Sequence, residues 1–303
     1  MNDHQRPPTI AAAAAERWQR MAPAAAPWLH EEVGRRMEER LQWIKRQPTA
    51  WADWGAVRGG LGVHRQLRRR YPWAAETVVE ERADLQLRAR QALVPGWWRR
   101  MRGRAGPVQV VAAPAAGSVQ LLWANMQLHM AADPQALIAR WHAALAADGF
   151  LMFSCLGPDT VRELHGLYQA LGWPPPGHAL TDMHDWGDML VQGGFAEPVM
   201  DMERLTLTYE SPRRLLEELR ELGRNLHPAR FAALRGRGFR NVLEQALAHR
   251  LADPAQGGRL ALTFEIVYGH AFKPPPRARL GPQTAVPLAD MRAMLQRGPA
   301  RPG

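Results

Sequence analysis

The feature that most constrains the fold is an alternation of short apolar segments with helical patterns along much of the chain. The helical patterns repeat apolar residues every three or four positions, as at Val33, Met37 and Leu41 in the segment Pro27–Ile44. Strands that alternate with helices form a parallel sheet covered on both faces. The sequence therefore predicts an α/β fold with a doubly wound sheet, whose five strands are Ala50–Gly55, Glu76–Glu80, Val108–Val111, Val119–Ala124 and Gly149–Ser154.

Two longer strand-like segments follow the alternating region. Val199–Tyr209 and Arg259–Phe272 are rich in β-branched and aromatic residues, and helical patterns at Pro212–Leu222 and Val242–Leu251 separate them. We expect the two strands to form an antiparallel edge pair. The helices between them would then be an inserted cap over residues 210–258.

Segments without a clear period flank these patterns. Residues 1–25 and 274–303 are predicted to be flexible tails, and residues 26–273 a single domain. No stretch reaches the ~18 uncharged apolar residues of a membrane helix. The alanine run Ala11–Ala15 is too short for a secretory core, and the single cysteine, Cys155, suits a reducing compartment. We therefore expect a cytoplasmic protein without a membrane span.

The balance of charge indicates a basic protein. The chain has 39 Lys+Arg against 29 Asp+Glu, a formal net charge of +10, and Lys45 and Lys273 are its only lysines. An anionic partner, such as nucleic acid, an acidic protein or an anionic lipid, would explain the excess. Codon bias in a GC-rich genome would also explain it, because such a genome favours arginine.

A candidate ligand site follows the first two predicted strands. Asp53 and Gly55 lie where the first strand ends, and Gly59 and Gly60 follow in the same loop. In doubly wound folds, ligands bind at this edge of the sheet, and glycine lets the backbone approach them closely. Glu80 ends the second strand, where a carboxylate can accept both ribose hydroxyls. This arrangement is typical of a site for an adenosyl group.

The order of these features resembles class I S-adenosylmethionine-dependent methyltransferases, and in particular the malonyl-[acyl-carrier protein] O-methyltransferases of biotin synthesis. The resemblance extends over residues 27–272 and rests on Asp53-Trp54-Gly55, Trp123–His129, Phe153-Ser154, Arg162–His165, Asp182–Gly187, Gly194-Phe195 and Leu219–Gly223. It implies a Rossmann-like methyltransferase sheet that binds S-adenosylmethionine. The residues that would hold this cofactor are Asp53, Gly55, Gly59, Glu80 and Asn125.

The resemblance also implies a reaction, methylation of the free carboxylate of a malonyl thioester carried by acyl carrier protein or coenzyme A. A carboxylate is ionised at neutral pH, so this chemistry needs a cation to orient it rather than a strong base. Arg162 and Arg220 are candidates for the cation, and His165 and Tyr209 for hydrogen-bond donors. Each also has an ordinary explanation, as a surface arginine or a packing side chain.

Two departures from the family pattern favour an alternative function. Val57 stands where the middle glycine of the loop is usual, and a β-branched residue there is expected to project toward the ligand. No Asp or Glu occurs from Pro107 to Ala124, where an acid near the adenine is usual, and Gln120 stands in place of an aspartate. The alternative is a methyltransferase-like binding or assembly factor with an eroded cofactor site.

Other interpretations of the charge are weaker. The segment Trp97–Arg104 combines tryptophans with arginines and could stack on bases, but it matches no spacing of a nucleic-acid motif, so a nucleic-acid partner is not expected. The scattered histidines predict no metal site. If the partner is an acidic carrier protein, the docking arginines should lie near Arg162, Arg213, Arg214 and Arg220.

Overall fold

An eight-stranded sheet forms the centre of the molecule. The structure is a computed structural model that describes residues 10–93, 108–232 and 235–275. The strands are β1 (Ala50–Trp54), β2 (Ala75–Val79), β3 (Val108–Val111), β4 (Val119–Ala124), β5 (Leu145–Leu156), β6 (Ala196–Tyr209), β7 (Ala252–Asp253) and β8 (Arg259–Phe272). Their order across the sheet is β3-β2-β1-β4-β5-β8-β6, with β7 paired to β8.

The pairing of the strands confirms the predicted topology. β1 to β5 are parallel to one another, and β8 runs antiparallel to both β5 and β6. The chain passes from one half of the sheet to the other after β3, so that the two halves meet between β1 and β4. This is the switch point at which ligands bind in such folds.

Helices cover both faces of the sheet. Within the described ranges they are α1 (Ala12–Met21), α2 (Trp28–Arg40), α3 (Ala56–Gly59), α4 (Leu61–Arg70), α5 (Ala83–Leu93), α6 (Pro134–Ala144), α7 (Arg162–Ala170), α8 (Met183–Gln192), α9 (Pro212–Leu222) and α10 (Arg237–Arg250). α9 and α10 are the two helices predicted between the long strands. α6 ends at Ala144, and the next residue, buried Leu145, pairs with Val119 at the start of β5.

The core lies on both faces of the sheet, as the alternation of side chains along a strand requires. On β4, Leu121 and Trp123 pack into the cluster that contains Leu29 and Leu67 of α2 and α4. The intervening Leu122 packs on the opposite face, in a cluster with residues of α6 and α8. These two layers fix the sheet rigidly and so position the loops at its edges.

The amino-terminal segment differs from the flexible tail predicted for residues 1–25. Ala12–Met21 is a helix, and Ala15 and Trp18 on one of its faces are buried against Leu226. The face repeats small or apolar residues with helical spacing, Ala11, Ala15, Trp18 and Ala22. The helical period is hard to recognise in an alanine run, because alanine is also common at exposed positions. α1 thus belongs to the folded domain.

Several predictions concern residues that the structure does not describe. The Trp97–Arg104 segment and residues 276–303 of the predicted second tail lie outside the described ranges. In the part of the chain that is described, no helix is long and apolar enough to cross a membrane.

Candidate functional site

A cleft lies at the carboxyl edge of the sheet, where β1, β2 and β4 end, and we call it the donor cleft. Its lining comes from α1, α2, the loops after these three strands and α5, and includes Trp18, Gln19, Ala22, His30, Trp54, Gly55, Arg58, Val79, Glu80, Glu81, Arg82, Leu85, Met126, Gln127, Met130, Ala131, Leu137 and Leu222. The cleft therefore sits at the switch point predicted from the sequence. Its volume is ≈ 200 Å³, below the ~300–1,000 Å³ of typical ligand sites, because α1 covers one side.

Glycine is required at the turn that enters the cleft. Gly55 has a φ of 75°, in the left-handed region. A β-carbon on Gly55 would lie 2.6 Å from Cδ of Gln127, which is closer than such contacts occur. Gly59 also approaches β4 closely, since a β-carbon there would lie 3.2 Å from the Asn125 carbonyl oxygen. Of these two predicted cofactor residues, Gly55 lines the donor cleft and Gly59 packs behind it.

Val57 does not project toward the cleft, contrary to the expectation from the sequence. The loop winds into the short helix α3, which turns Val57 inward, and its side chain is 1% exposed among Ala56, Val78 and Ala89. Its backbone N–H donates to Oε1 of Glu80 at 2.8 Å. The valine side chain therefore contributes to the core and does not fill the site, while the contact with Glu80 uses a backbone N–H that a glycine would also provide.

We expect Val57→Ala to lower the free energy of unfolding by about 2 kcal/mol, because it removes two buried methyl groups and leaves a cavity. Urea denaturation measures the change. Val242→Ala is the matched control, since Val242 also lies on a helix but is 45% exposed, and it should change the free energy by less than about 0.5 kcal/mol. Equal effects of the two variants would contradict the buried position of Val57.

Asp53 lies beneath the donor cleft rather than in it. Its Oδ2 lies 2.7 Å from Nδ1 of His64, and Nε2 of His64 lies 2.7 Å from Oε1 of Glu76. Arg68 completes the chain, with its Nε donating to Oε2 of Glu76 at 2.6 Å. Asp53, His64 and Glu76 are all at most 5% exposed. We call these four side chains the buried charge chain.

The charges in this chain depend on one another. Burial opposes the protonated form of His64, but the carboxylates of Asp53 and Glu76 outweigh it and raise the pKa of the imidazole. A protonated His64 then donates to both carboxylates. Asp53 is thus placed by the strand order as predicted, but its contacts are with His64, because alternation along β1 directs it toward α4.

Glu80 faces the donor cleft, as predicted for a ribose acceptor. The side chain is 3% exposed, and Oε1 accepts the Val57 N–H. Burial is the main cause that raises the pKa of Glu80 to about 7. The carboxyl group therefore changes its charge near neutral pH, where a ligand that donates hydrogen bonds favours the ionised form.

Asn125 does not line the donor cleft, but its hydrogen bonds connect the elements around it. Its Nδ2 donates to the carbonyl oxygens of His30, at 2.7 Å, and of Gly59. Its Oδ1 accepts from Oγ of Ser154 at 2.7 Å. Every polar atom of this buried amide has a protein partner, so Asn125 fixes α2, α3 and β5 around the end of β4. Its neighbours Met126 and Gln127 form the adjacent wall of the donor cleft.

Gln120 does not take the place of the acid that is missing after β3. Oε1 of Gln120 accepts from the backbone N–H of Thr49 at 2.6 Å and from its Oγ1 at 3.0 Å. Thr49 precedes β1, so Gln120 lies at the opposite edge of the sheet from the donor cleft. The residue at position 120 therefore does not indicate which ligand the donor cleft binds.

A second, larger cavity lies beneath the cap, and we call it the cap pocket. It has a volume of ≈ 780 Å³. Its walls are apolar side chains of α7, α9, α10 and β8, which include Leu164, Leu216, Leu219, Leu243 and Phe264. Arginines surround them: Arg220, Arg224, Arg235, Arg237 and Arg240. A cavity of this kind suits an anionic group on a long, partly apolar carrier.

The structure separates the four predicted catalytic residues. His165 and Arg220 line the cap pocket. Arg162 does not, because α7 turns its buried face, with Leu164 and Leu167, away from Arg162, whose side chain is 57% exposed beside Asp159. Tyr209 lies in the hydrophobic core, where burial raises the pKa of its hydroxyl. Arg162 and Tyr209 therefore do not line the cap pocket.

Arg224 is a pocket residue that the sequence did not predict. Partial burial and the neighbouring Arg220 lower the pKa of its guanidinium. Within the described ranges, no carboxylate oxygen lies within 4.0 Å of the Arg224 guanidinium, so no ion pair forms there. The guanidinium lies 5.2 Å from the ring centroid of Trp18, the residue of α1 that closes the donor cleft. No periodic pattern marks Arg224, because it follows α9 in an irregular segment.

The donor cleft and the cap pocket share a wall. Met130 and Leu222 line both. Gly223, next to Leu222, also lies near Met130, since a β-carbon on it would be in ordinary contact with Cε of Met130, at 3.4 Å. Groups bound in the two cavities would therefore lie on either side of Met130 and Leu222.

Comparison with known proteins places the chain in a family. It matches no family model. It is 41% identical over 255 residues to a malonyl-[acyl-carrier protein] O-methyltransferase of Gallionella capsiferriformans, over 82% of this chain and 85% of the relative. It is 38% identical over 259 residues to one of Laribacter hongkongensis, over 83% and 84% of the two chains.

Solved structures agree with the fold. A candidate methyltransferase from Bacillus halodurans superposes with a TM-score of 0.51 over 79% of this chain and 99% of that chain, at 12% identity. The YcgJ protein from Bacillus subtilis gives a TM-score of 0.50 over 79% and 98%, at 14% identity. These superpositions concern the fold alone. The identity with the curated relatives over most of both chains means that the protein belongs to the malonyl-[acyl-carrier protein] O-methyltransferase family.

Proposed function

We propose that the protein transfers a methyl group from S-adenosylmethionine to the free carboxylate of a malonyl thioester on acyl carrier protein. The observation that carries this proposal is the wall of Met130 and Leu222 shared by the donor cleft and the cap pocket. The relatives are named for the same carrier and the same reaction. The family resemblance places the product in biotin synthesis.

The residues of the donor cleft fit the proposed cofactor. Glu80 offers a buried carboxylate to the two ribose hydroxyls. Trp54, Val79 and Leu85 provide an apolar wall for a flat base, and Gly55 leaves room for close approach of a ligand to the backbone. The described residues offer no acid after β3, so the base would be held by packing more than by charge. When bound, S-adenosylmethionine supplies an electrophilic methyl group on a sulfonium.

The cap pocket would bind the substrate that receives the methyl group. A malonyl carboxylate is already ionised at neutral pH, so the protein has no proton to remove. Arg224 would bind and orient this carboxylate at the shared wall, because guanidinium groups pair with carboxylates in a bidentate manner. The apolar walls of the pocket exclude water from the carboxylate and so increase its reactivity. Burial lowers the pKa of His165 and keeps it neutral, as a hydrogen-bonding partner for the thioester.

The arginines at the opening suit an acidic carrier protein. Arg220, Arg235, Arg237 and Arg240 surround the cap pocket, and the whole chain carries a net charge of +10. Such a surface accelerates association with an acidic protein in a salt-dependent way. The phosphate groups of coenzyme A would bind the same arginines, so an experiment must decide between the two carriers.

The alternative of a binding factor without methylation loses its main support. It rested on Val57 filling the cofactor loop, and Val57 is buried in the core. The missing acid after β3 remains, but it removes one hydrogen bond, which costs about 1 kcal/mol. A methyltransferase therefore explains the site better.

A direct assay tests the proposal. Purified protein is incubated with S-adenosylmethionine and malonyl-acyl carrier protein, and intact-mass spectrometry measures the methyl ester. Malonyl-coenzyme A in a parallel reaction identifies the carrier. We expect the ester on the carrier protein at a higher rate. Binding of S-adenosylhomocysteine without ester on either carrier would instead support a binding factor.

The pKa of Glu80 predicts how cofactor affinity depends on pH. The ribose hydroxyls donate to the ionised carboxylate, which becomes populated as the pH rises through about 7. The affinity for S-adenosylhomocysteine should therefore rise about tenfold from pH 6 to pH 8. Calorimetry at several pH values measures it. Glu80→Gln should bind weakly and without this dependence, and a flat profile for the unmodified protein would contradict the assignment.

A further inference from the structure

A cation without an acidic partner lies in the donor cleft. Arg58, in the short helix α3, lines the cleft at the end formed by α1 and the glycine turn. The other arginine of the lining, Arg82, is paired with Asp84 at 2.6 Å. For Arg58, no carboxylate of the described ranges lies within 4.0 Å. The donor cleft thus contains one arginine that is neutralised and one that is not.

Backbone carbonyl groups hold the Arg58 guanidinium in place. Its Nη1 donates to the carbonyl oxygens of Pro23, at 2.9 Å, and Ala25, at 3.2 Å. Its Nη2 donates to the carbonyl oxygen of Glu221 at 3.1 Å, in the last turn of α9. The plane of the guanidinium is further restrained by Trp18, whose ring centroid lies 5.4 Å away. The group is therefore fixed before any ligand binds.

These contacts leave a pair of donors free. A guanidinium has five N–H groups, and the three carbonyl contacts use both of those on Nη1 and one on Nη2. The Nε–H and the second Nη2–H remain without a protein acceptor in the described part of the chain. Two such N–H groups form the side-on fork that binds a carboxylate in a bidentate manner.

The surroundings favour an anion at this fork. Burial lowers the pKa of Arg58 to about 10, so the group stays charged at neutral pH in an environment that penalises charge. The Glu221 carboxylate, beyond ion-pair distance, partly opposes this effect of burial. His30, a titratable side chain of the same lining, adds no competing cation. Its Nδ1 donates to the Arg58 carbonyl oxygen at 2.7 Å, and burial lowers its pKa to about 4. A carboxylate would offset the penalty at Arg58.

We propose that Arg58 binds the α-carboxylate of the methionyl group of the cofactor through its Nε–H and its second Nη2–H. The inference rests on the proposed function, since it presumes S-adenosylmethionine in the donor cleft. It follows from the charged groups of the lining: Glu80 would receive the ribose, and the Arg58 guanidinium contacts Glu221, the neighbour of Leu222 in the shared wall. The glycine pattern of the loop does not require an arginine at position 58.

Calorimetry on the protein without cofactor tests this inference. The probes are S-adenosylhomocysteine and S-adenosyl-3-thiopropylamine, which differ only by the carboxylate. The unmodified protein should bind the decarboxylated probe about 10- to 100-fold more weakly, as expected for a lost charge-assisted bidentate contact. Arg58→Ala should weaken binding of S-adenosylhomocysteine by the same factor, and should change binding of the decarboxylated probe by less than about threefold.

A matched control separates binding from support of the fold. Arg88 on α5 also donates to the same segment, through Nη1 to the carbonyl oxygen of Ala24 at 3.2 Å, and it lies outside the cleft lining. Arg88→Ala should leave both affinities unchanged. Arg58→Lys keeps a charge on the site and should retain part of the preference for the carboxylated probe, provided that urea denaturation shows it folded.

The outcomes distinguish this inference from the proposed function. If Arg58→Ala weakens both probes equally, Arg58 supports α1 and does not bind the carboxylate, and the inference is overturned while the function stands. If the unmodified protein binds neither probe, the proposed cofactor is wrong. Loss of carboxylate discrimination in Arg58→Ala alone, with Arg88→Ala unaffected, establishes the contact.

Discussion

Replacing Arg224 by methionine should lower kcat/KM for the malonyl thioester about 100-fold, while the affinity for S-adenosylhomocysteine changes by less than about threefold. Methionine keeps much of the apolar stem that packs near Trp18, but it removes the charge that would orient the malonyl carboxylate. Misplacement of a reacting group by about 1 Å is enough for a loss of this size. Steady-state methylation assays give kcat/KM, and calorimetry gives the affinity.

Arg213→Met is the matched control for this substitution. Arg213 lies on the same cap, at the start of α9, but its side chain is 75% exposed and pairs with Glu217 at 3.0 Å. Its replacement should change kcat/KM by less than about threefold at moderate salt. If Arg224→Met behaves like this control while Arg220→Met abolishes turnover, Arg220 orients the carboxylate instead.

His64→Ala should destabilise the fold by about 3–5 kcal/mol, the cost of removing the cation from a buried ion network. Without the imidazole, the carboxylates of Asp53 and Glu76 would lose their common donor, and one oxygen of Asp53 already lacks a partner. Arg68 would still neutralise Glu76, so the penalty falls mainly on Asp53. Urea denaturation measures the change in the free energy of unfolding.

The control for His64 is an exposed pair. Arg213→Ala breaks the contact with Glu217 one helical turn away, and fully exposed pairs of this kind contribute little to stability. A loss below about 1 kcal/mol for His64→Ala would mean that the buried charge chain relaxes or admits water. In that event, Asp53 would be less important for the shape of the donor cleft than its burial indicates.

The topology was predictable because the signals for it are local. Apolar runs such as Leu121–Ala124 and Leu151–Phe153 are buried on both faces of the sheet, and helical periods separate the strands. Glu80 was also predictable, since the end of the second strand has a fixed position in a doubly wound fold. In these cases the order of elements along the chain determines their place in space.

The roles of single side chains were less predictable. Asp53 and Asn125 end their strands as expected, but alternation along a strand decides which way a side chain points, and both point into the protein. Arg162 and Arg224 are alike in sequence, and only the packing of α7 turns one outward while an irregular segment brings the other to the shared wall. Arginine is long and compatible with many surroundings, so its type alone does not indicate a site.

The wall shared by the two cavities has a consequence for inhibitor design. A single molecule that joins an adenosyl group to a dicarboxylate by a short linker would occupy the donor cleft and the cap pocket together, across the wall formed by Met130 and Leu222. Its second half would bind at the high effective concentration that a short linker provides, with an affinity far above that of either fragment. Selectivity would come from the combination, because the dicarboxylate half would bind only where a pocket such as the cap pocket adjoins the cofactor site.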